Sequence, residues 1–220
     1  MSIAPSELYL SLMRTIRSRF DLLDALRGLE AGGFSKAETA AFQGRKIVEV
    51  IAFGCLVATE QGLKHVPHDA KGQWAADAIF KSLRKKGIST FPSPSIIRRA
   101  VPEDYVEGIN VVIEGVPERR ISSVDMEALY VRLHKWLHEL NPYVTTDRAT
   151  FLAVHETQLW EDLQKVERFI ERHFISIRGE GFYCVLRDSV DGLTKVKPLS
   201  KRSDLYPTPI GPQLPGAAEA

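Results

Sequence analysis

The feature that most constrains the fold is a long segment that is apolar around nearly its whole helical circumference. Residues 36–61 have helical character, and within the apolar run only Arg45, Lys46 and Glu49 carry charge. A helix of this kind avoids water on every side, so it lies at the centre of its own bundle or at an interface between chains. We therefore expect a homodimer or a stable complex with a protein partner. Arg45 and Glu49 stand four residues apart and can pair on one face.

Four other segments show apolar residues at three- or four-residue steps, which is the pattern of amphipathic helices. These segments are 6–31, 71–86, 123–140 and 146–174. Capping residues precede three of the predicted helices, and they are Ser35 with Glu38 three residues later, Ser122 or Ser123, and Thr146 or Asp147. The chain is thus predicted to be mainly α, with five helices.

Short β-rich runs interrupt and follow these helices. Residues 109–114 form one run, and residues 182–187 and 193–199 form two more, joined through a turn signal at Asp191-Gly192. The predicted fold is a five-helix bundle with a small β-hairpin appendage. The predicted divisions are a helical domain over 1–178 with a β/loop insertion at about 88–121, a hairpin appendage over 179–205, and a proline-rich disordered tail over 206–220.

Composition excludes several classes of protein. With 44% hydrophobic residues and a formal net charge of +1, the 220-residue chain is neither a disordered chain nor a polybasic nucleic-acid coat. No apolar run reaches the length of a membrane span, and the first residues lack the pattern of a signal peptide. Two cysteines are too few for a disulfide framework. We expect a cytoplasmic protein with no membrane contact.

The histidines are the first candidates for chemistry. His134 and His138 are four residues apart on a predicted helix, as two ligands of one metal would be, and His65 and His68 form a second close pair. No acidic residue lies between His134 and His138, and six histidines in this chain make such a spacing common by chance. We predict no metal. No phosphate-binding glycine loop or nucleophile elbow occurs, and no cofactor is predicted.

Basic residues concentrate between positions 78 and 102, where no acid occurs. A phosphate-binding patch would use five of them, namely Lys81, Arg84, Lys85, Arg98 and Arg99. The alternative interpretation is a solvated helix end, because lysine and arginine near a helix C-terminus complement the helix dipole. The dipole interpretation is favoured because it requires no ligand.

The apolar helix that follows Arg45-Lys46, together with the later segment Leu137–Tyr143, resembles bacterial helical proteins and is similar to the HEPN superfamily. This resemblance implies a helical bundle that commonly dimerises. It also implies a metal-independent ribonuclease of a toxin–antitoxin or anti-phage system, with a catalytic arginine and histidine on a late helix. Three pairs have a similar spacing: Arg132 with His138, Arg148 with His155, and Arg168 with His173.

Of the three, Arg132 and His138 are the preferred catalytic pair, since both can face a partner while His155 and His173 border a core stripe. Histidine can take the 2′-hydroxyl proton of RNA, and arginine can stabilise the charged phosphorane. In all three pairs an apolar residue follows the arginine, whereas the family usually places a polar residue there. The hypotheses are a ribonuclease or RNA-binding protein and, as the alternative, a non-catalytic helical interaction subunit. Whether the chain is an enzyme stays open.

Overall fold

The architecture is known from a computed structural model that describes residues 3–101, 104, 111–139, 141, 143 and 147–200. In those residues the helices are α1 Pro5–Arg27, α2 Gly33–Leu63, α3 His68–Lys71, α4 Ala76–Lys85, α5 Ser123–Lys135 and α6 Arg148–Ile170, with a 3₁₀ turn at Pro117–Arg119. The strands are β1 Ser93–Arg99, β2 Val111–Gly115, β3 Arg172–Ile177, β4 Glu180–Val185 and β5 Lys195–Leu199. No helix in the described ranges is long and apolar enough to cross a membrane.

The prediction of a mainly α, five-helix bundle with an appended hairpin is wrong. The described chain has six α-helices, and its five strands form a single antiparallel sheet in the order β2-β1-β3-β4-β5. β1 comes from the segment predicted as an insertion, and it pairs with β3 through Ser93–Phe174 and Pro94–His173. The predicted insertion and the predicted appendage therefore contribute to one sheet. The tail over 206–220 lies outside the described residues.

Part of the wrong fold prediction arises at the C-terminal end of α6. Periodicity predicts a helix as far as residue 174, but α6 ends at Ile170 and β3 begins at Arg172. His173 and Ile175 are both buried, in the alternating pattern of a strand with one face in the core. The predicted pairing of the last two β-rich runs is confirmed, with Gly181 opposite Leu199 and Val185 opposite Lys195.

The apolar helix α2 lies at the centre of its own chain. It contacts α1, α4, α5, α6, β3 and β4, so most of its apolar circumference is covered without a second molecule, although Phe42 is 42% exposed. Many of its buried residues are small, and these are Ala37, Ala40, Ala41, Gly44, Ala52, Gly54, Cys55 and Ala58. Small side chains let the neighbouring elements approach closely. The character of this helix therefore gives no support for a dimer.

Two further helix predictions need correction. The helix predicted over 71–86 begins only at Ala76, as α4, because residues 72–75 separate it from the short α3, and Trp74 there is 83% exposed instead of facing the core. The predicted capping box at Ser35 and Glu38 does not form, because α2 begins at Gly33 with Gly32 as a cap that makes no side-chain hydrogen bond. The caps at Ser122 and Asp147 are confirmed.

Candidate nucleic-acid interface

Arg132 lies on the side of α5 that faces α6. Its Nε donates to Oδ2 of Asp162 at 2.8 Å, and its Nη2 donates to Oδ1 at 2.9 Å. Asp162 is 2% exposed and also accepts from Gln158 Nε2 at 3.1 Å. The hydrogen bonds to Asp162 raise the pKa of Arg132. Arg132 is thus held at a fixed position on the α5–α6 surface, with part of its guanidinium exposed.

His138 lies elsewhere, just beyond the C-terminal end of α5, and is exposed. Its ring packs edge-on against the ring of His134, with 4.4 Å between ring centroids. His134 in turn accepts a hydrogen bond at Nδ1 from Arg45 Nη1 at 3.0 Å. Burial, followed by the charge of Arg45, lowers the pKa of His134. Within one chain, His138 is therefore grouped with His134 and Arg45, and Arg132 is grouped with Asp162.

The contact between Arg45 and His134 belongs to a polar network between α2 and α5. Glu49 is 7% exposed, and its carboxylate lies 3.2 Å from Arg45 Nε, as the four-residue spacing predicts. The same carboxylate accepts hydrogen bonds from Tyr130 Oη at 3.0 Å and from Lys46 Nζ at 2.7 Å. These contacts neutralise the buried Glu49 carboxylate. The network gives a structural role to the three charged residues within the apolar run of α2. In the described residues no group of three or more histidine, cysteine, aspartate and glutamate side chains could hold a metal ion.

The other two arginine–histidine spacings also lie apart. Arg148 pairs with Glu139 at 2.7 Å, while the exposed ring of His155 packs on Phe151 with 4.5 Å between centroids. His173 is fully buried and makes two hydrogen bonds inside the core.

The predicted phosphate patch is divided between α4 and β1. Three of its five residues are paired with acids: Lys81 with Asp77, Arg84 with Glu127, and Arg98 with Asp104 and Glu114. Glu127 is 9% exposed, and Arg84 donates to both of its oxygens, at 2.6 and 3.3 Å. Lys85 and Arg99 are exposed, and no acid within the described residues pairs with them. These contacts leave few free cations for phosphates.

A different set of cations converges on one cleft of about 890 Å³ between the 3₁₀ turn, α5 and α6. We call this the basic cleft. Its basic lining residues are Arg119, Arg120, Arg132, Lys165 and Arg168, and its acidic ones are Glu118, Asp125 and Asp162.

Two of these cations are bound to acids and three are not. Arg119 pairs with Glu171 at 3.0 Å, and Arg132 pairs with Asp162. Arg120, Lys165 and Arg168 are exposed and form no ion pair with any described residue. Glu118 and Asp125 also line the cleft outside any ion pair among the described residues, but the basic lining residues outnumber the acidic ones by two, so the cleft favours a negatively charged ligand.

Sequence reasoning missed most of this cleft. Sequence patterns predict Arg132 as a catalytic residue and point to Arg168 through its spacing to His173. Arg119, Arg120 and Lys165 belong to none of the sites predicted from the sequence. The available signals were the adjacent arginines before the Ser122 cap, and the i, i+3 spacing of Lys165 and Arg168 on α6. Nothing in the sequence shows that these two segments face each other.

Comparison with known proteins gives no identification of the chain. No protein-family model matches it, and neither a curated protein nor a solved structure does so. The similarity to the HEPN superfamily therefore stays a prediction.

Proposed function

We propose that the protein binds RNA, and that the basic cleft holds the phosphate backbone. The observation that supports this proposal is the convergence of Arg120, Lys165 and Arg168 on one cleft without acidic partners. Phosphate contacts of this kind supply most of the affinity in nucleic-acid binding that does not depend on sequence. Arg132, predicted from the sequence as catalytic, here has the role of a fixed cation in the wall of the cleft.

The lining of the cleft favours contacts to phosphate and sugar over contacts to bases. Its apolar residues are Ile121, Ala128 and Leu129, and its described lining includes no aromatic side chain on which a base could stack. Phosphate contacts position a nucleic acid but carry no direct sequence information. We therefore expect binding that tolerates many sequences and weakens steeply with salt.

Cleavage has less support than binding in a single chain. The described lining of the cleft includes no histidine, and His138 lies with His134 and Arg45. A ribonuclease that used Arg132 with His138 would therefore need the histidine of a second protomer. The role in a toxin–antitoxin or anti-phage system rests on the HEPN resemblance alone.

The proposal is tested by replacing Arg120, Lys165 and Arg168 together with glutamine. All three side chains are exposed and unpaired with acids among the described residues, so the variant should fold normally. Fluorescence anisotropy with a labelled single-stranded RNA of mixed sequence should show weaker binding. Three lost phosphate contacts should also reduce the slope of log K against log salt concentration by about 2.

The matched control replaces Lys81, Lys85 and Arg99 with glutamine, which removes the same number of charges outside the cleft. It should retain most of the affinity and the salt slope of the wild type. An equal or greater loss in the control would contradict the cleft and favour the patch on α4 and β1. Absence of RNA binding by the wild type at about 100 mM salt would favour the alternative, a non-catalytic interaction subunit.

Cleavage is tested separately by incubating the wild type with RNA in the presence of a chelator. If the protein binds RNA without cleaving it, the RNA should stay intact. Products that disappear with His138→Ala, while the affinity for RNA is unchanged, would instead show that the histidine acts on the transition state.

A further inference from the structure

The sheet ends in a two-stranded ribbon formed by β1 and β2. β1 pairs with β3 only at Ser93 and Pro94, whereas it pairs with β2 from Ser95 to Arg99. β2 is the outermost strand, and within the described ranges no strand pairs with its outer side. Among the described residues, its outward N–H and C=O groups therefore have no partner strand, and another strand can add to such an edge.

One face of this ribbon is mainly apolar, with the exposed Arg99 at its end. The register places Ile97 opposite Ile113 and Arg99 opposite Val111, so these residues share a face. Ile97 is 39% exposed and Val111 is 53% exposed. The opposite face carries Ile96, Val112 and an ion pair in which Glu114 accepts from Arg98 Nε at 2.7 Å.

The two edge strands of the sheet differ in how well their residues prevent a further strand from pairing with them. The edge strand β5 contains Lys195, Lys197 and Pro198, and lysine and proline are the residues that discourage strand addition at an edge. β2 reads Val-Val-Ile-Glu-Gly, with neither lysine nor proline, and the Arg98 side chain neutralises its one charge. Only the β2 edge is thus suited to accept a strand.

We propose that β2 is a dimerisation edge, which pairs antiparallel with β2 of a second copy of the chain about a two-fold axis at Ile113. This pairing puts Ile113 opposite Ile113 of the second copy and Val111 opposite its Gly115. The apolar face then carries an unbroken row of four isoleucines across four strands, Ile97 and Ile113 from each copy. No two like charges lie directly opposite each other, because Glu114 faces Val112 of the second copy.

This symmetry favours a second copy over an unrelated strand. A two-fold interface presents the same patch on both sides, and a strand centred on Ile113 is complementary to itself in both side chains and backbone. The edge is only five residues long, which is small for a permanent dimer. The dimer should therefore dissociate on dilution in the micromolar range.

The register is tested by cross-linking Ile113→Cys. Residues directly opposite in an antiparallel pair have Cα atoms about 4.5–5.5 Å apart, which suits a disulfide, and the native Cys55 and Cys184 are buried. Oxidation should convert this variant to a covalent dimer. Two control variants should not cross-link. Val111→Cys would lie opposite Gly115 of the second copy, and Val190→Cys replaces an 89% exposed side chain in a turn away from β2. Cross-linking of Ile113→Cys no faster than that of the controls would overturn the proposal.

Sedimentation velocity from about 5 to about 500 μM tests the same interface without cysteines. The wild type should dimerise with increasing concentration, and Ile113→Lys should raise the dissociation constant at least about tenfold. Val154→Lys, at a 65% exposed position of α6, is the matched control and should dimerise as the wild type does. A wild type that stays monomeric, as when another segment of the same chain occupies the edge, contradicts the proposal. So does an Ile113→Lys variant that dimerises normally.

Discussion

At the residue scale, His173 shows how the core fixes a protonation state. Its Nδ1–H donates to the carbonyl oxygen of Ile170 at 2.8 Å, and its Nε2 accepts from the hydroxyl of Tyr9 at 2.7 Å. Both ring nitrogens are satisfied in the neutral form, and the side chain is fully buried. Burial lowers the pKa of His173 to about 4.

This shift predicts a loss of stability in mild acid. The unfolded chain binds a proton at His173 below a pH of about 6.5, whereas the folded chain resists it down to about 4, so the free energy of unfolding should fall across that window. The shift corresponds to at most about 3 kcal/mol. Urea unfolding at pH 7 and pH 4.5 measures the loss. His173→Gln removes this contribution, so a pH dependence equal to that of the wild type would contradict the assignment.

Two helix caps were predictable from the sequence, because a cap and the amide that it binds lie three residues apart. Ser122 accepts from the Asp125 amide at 3.1 Å, and Asp147 accepts from the Thr150 amide at 2.8 Å, as the capping patterns predict. Ser35 does not cap α2, although Ser35 and Glu38 match a capping pattern as well as the residues at the other two caps do. Phe34, just inside α2, packs on the rings of Trp136 and Phe151, and this tertiary packing accompanies a helix that begins three residues earlier than the local signal predicts.

At the scale of elements, the close packing of α2 on the sheet gives Gly62 a structural role. A Cβ on Gly62 would collide with the side chain and backbone carbonyl of Ile177 in β3. The collision with backbone cannot be relieved by a change of rotamer. The last turn of α2 therefore requires glycine to lie against the strand.

Gly62→Ala should destabilise the protein by about 1–3 kcal/mol, even though alanine favours a helix more than glycine does. Chemical denaturation measures the change. Gly72→Ala is the matched control, because a Cβ there meets nothing within 4 Å and the backbone is in the right-handed region. Equal stabilities of the two variants would contradict the close approach of α2 and β3.

The elements themselves were predictable to different degrees. Helices α1, α2, α5 and α6 follow from apolar periodicity, because a helix buries one stripe whatever its partner is. The pairing of β1 with β3 joins residues about 80 positions apart, and no short-range pattern carries that information. The apolar circumference of α2 identified a buried helix correctly, but its burial is provided by its own chain.

At the scale of the whole molecule, the basic cleft is a product of the fold. Its cations come from the 3₁₀ turn, α5 and α6, and the chain as a whole has a net charge of only +1. Overall charge therefore gave no sign of an anion site, and the one basic cluster visible in the sequence is largely neutralised by ion pairs. The site depends on cations outside ion pairs, which folding brings together.

Photo-cross-linking tests the central claim, that RNA lies in the basic cleft, most directly. The wild type is irradiated with single-stranded RNA that contains 4-thiouridine, and the linked peptides are identified by mass spectrometry. Cross-links should concentrate in the peptides that cover residues 118–132 and 162–168, which line the cleft. Cross-links concentrated instead between residues 78 and 102 would contradict the account and place the RNA on α4 and β1.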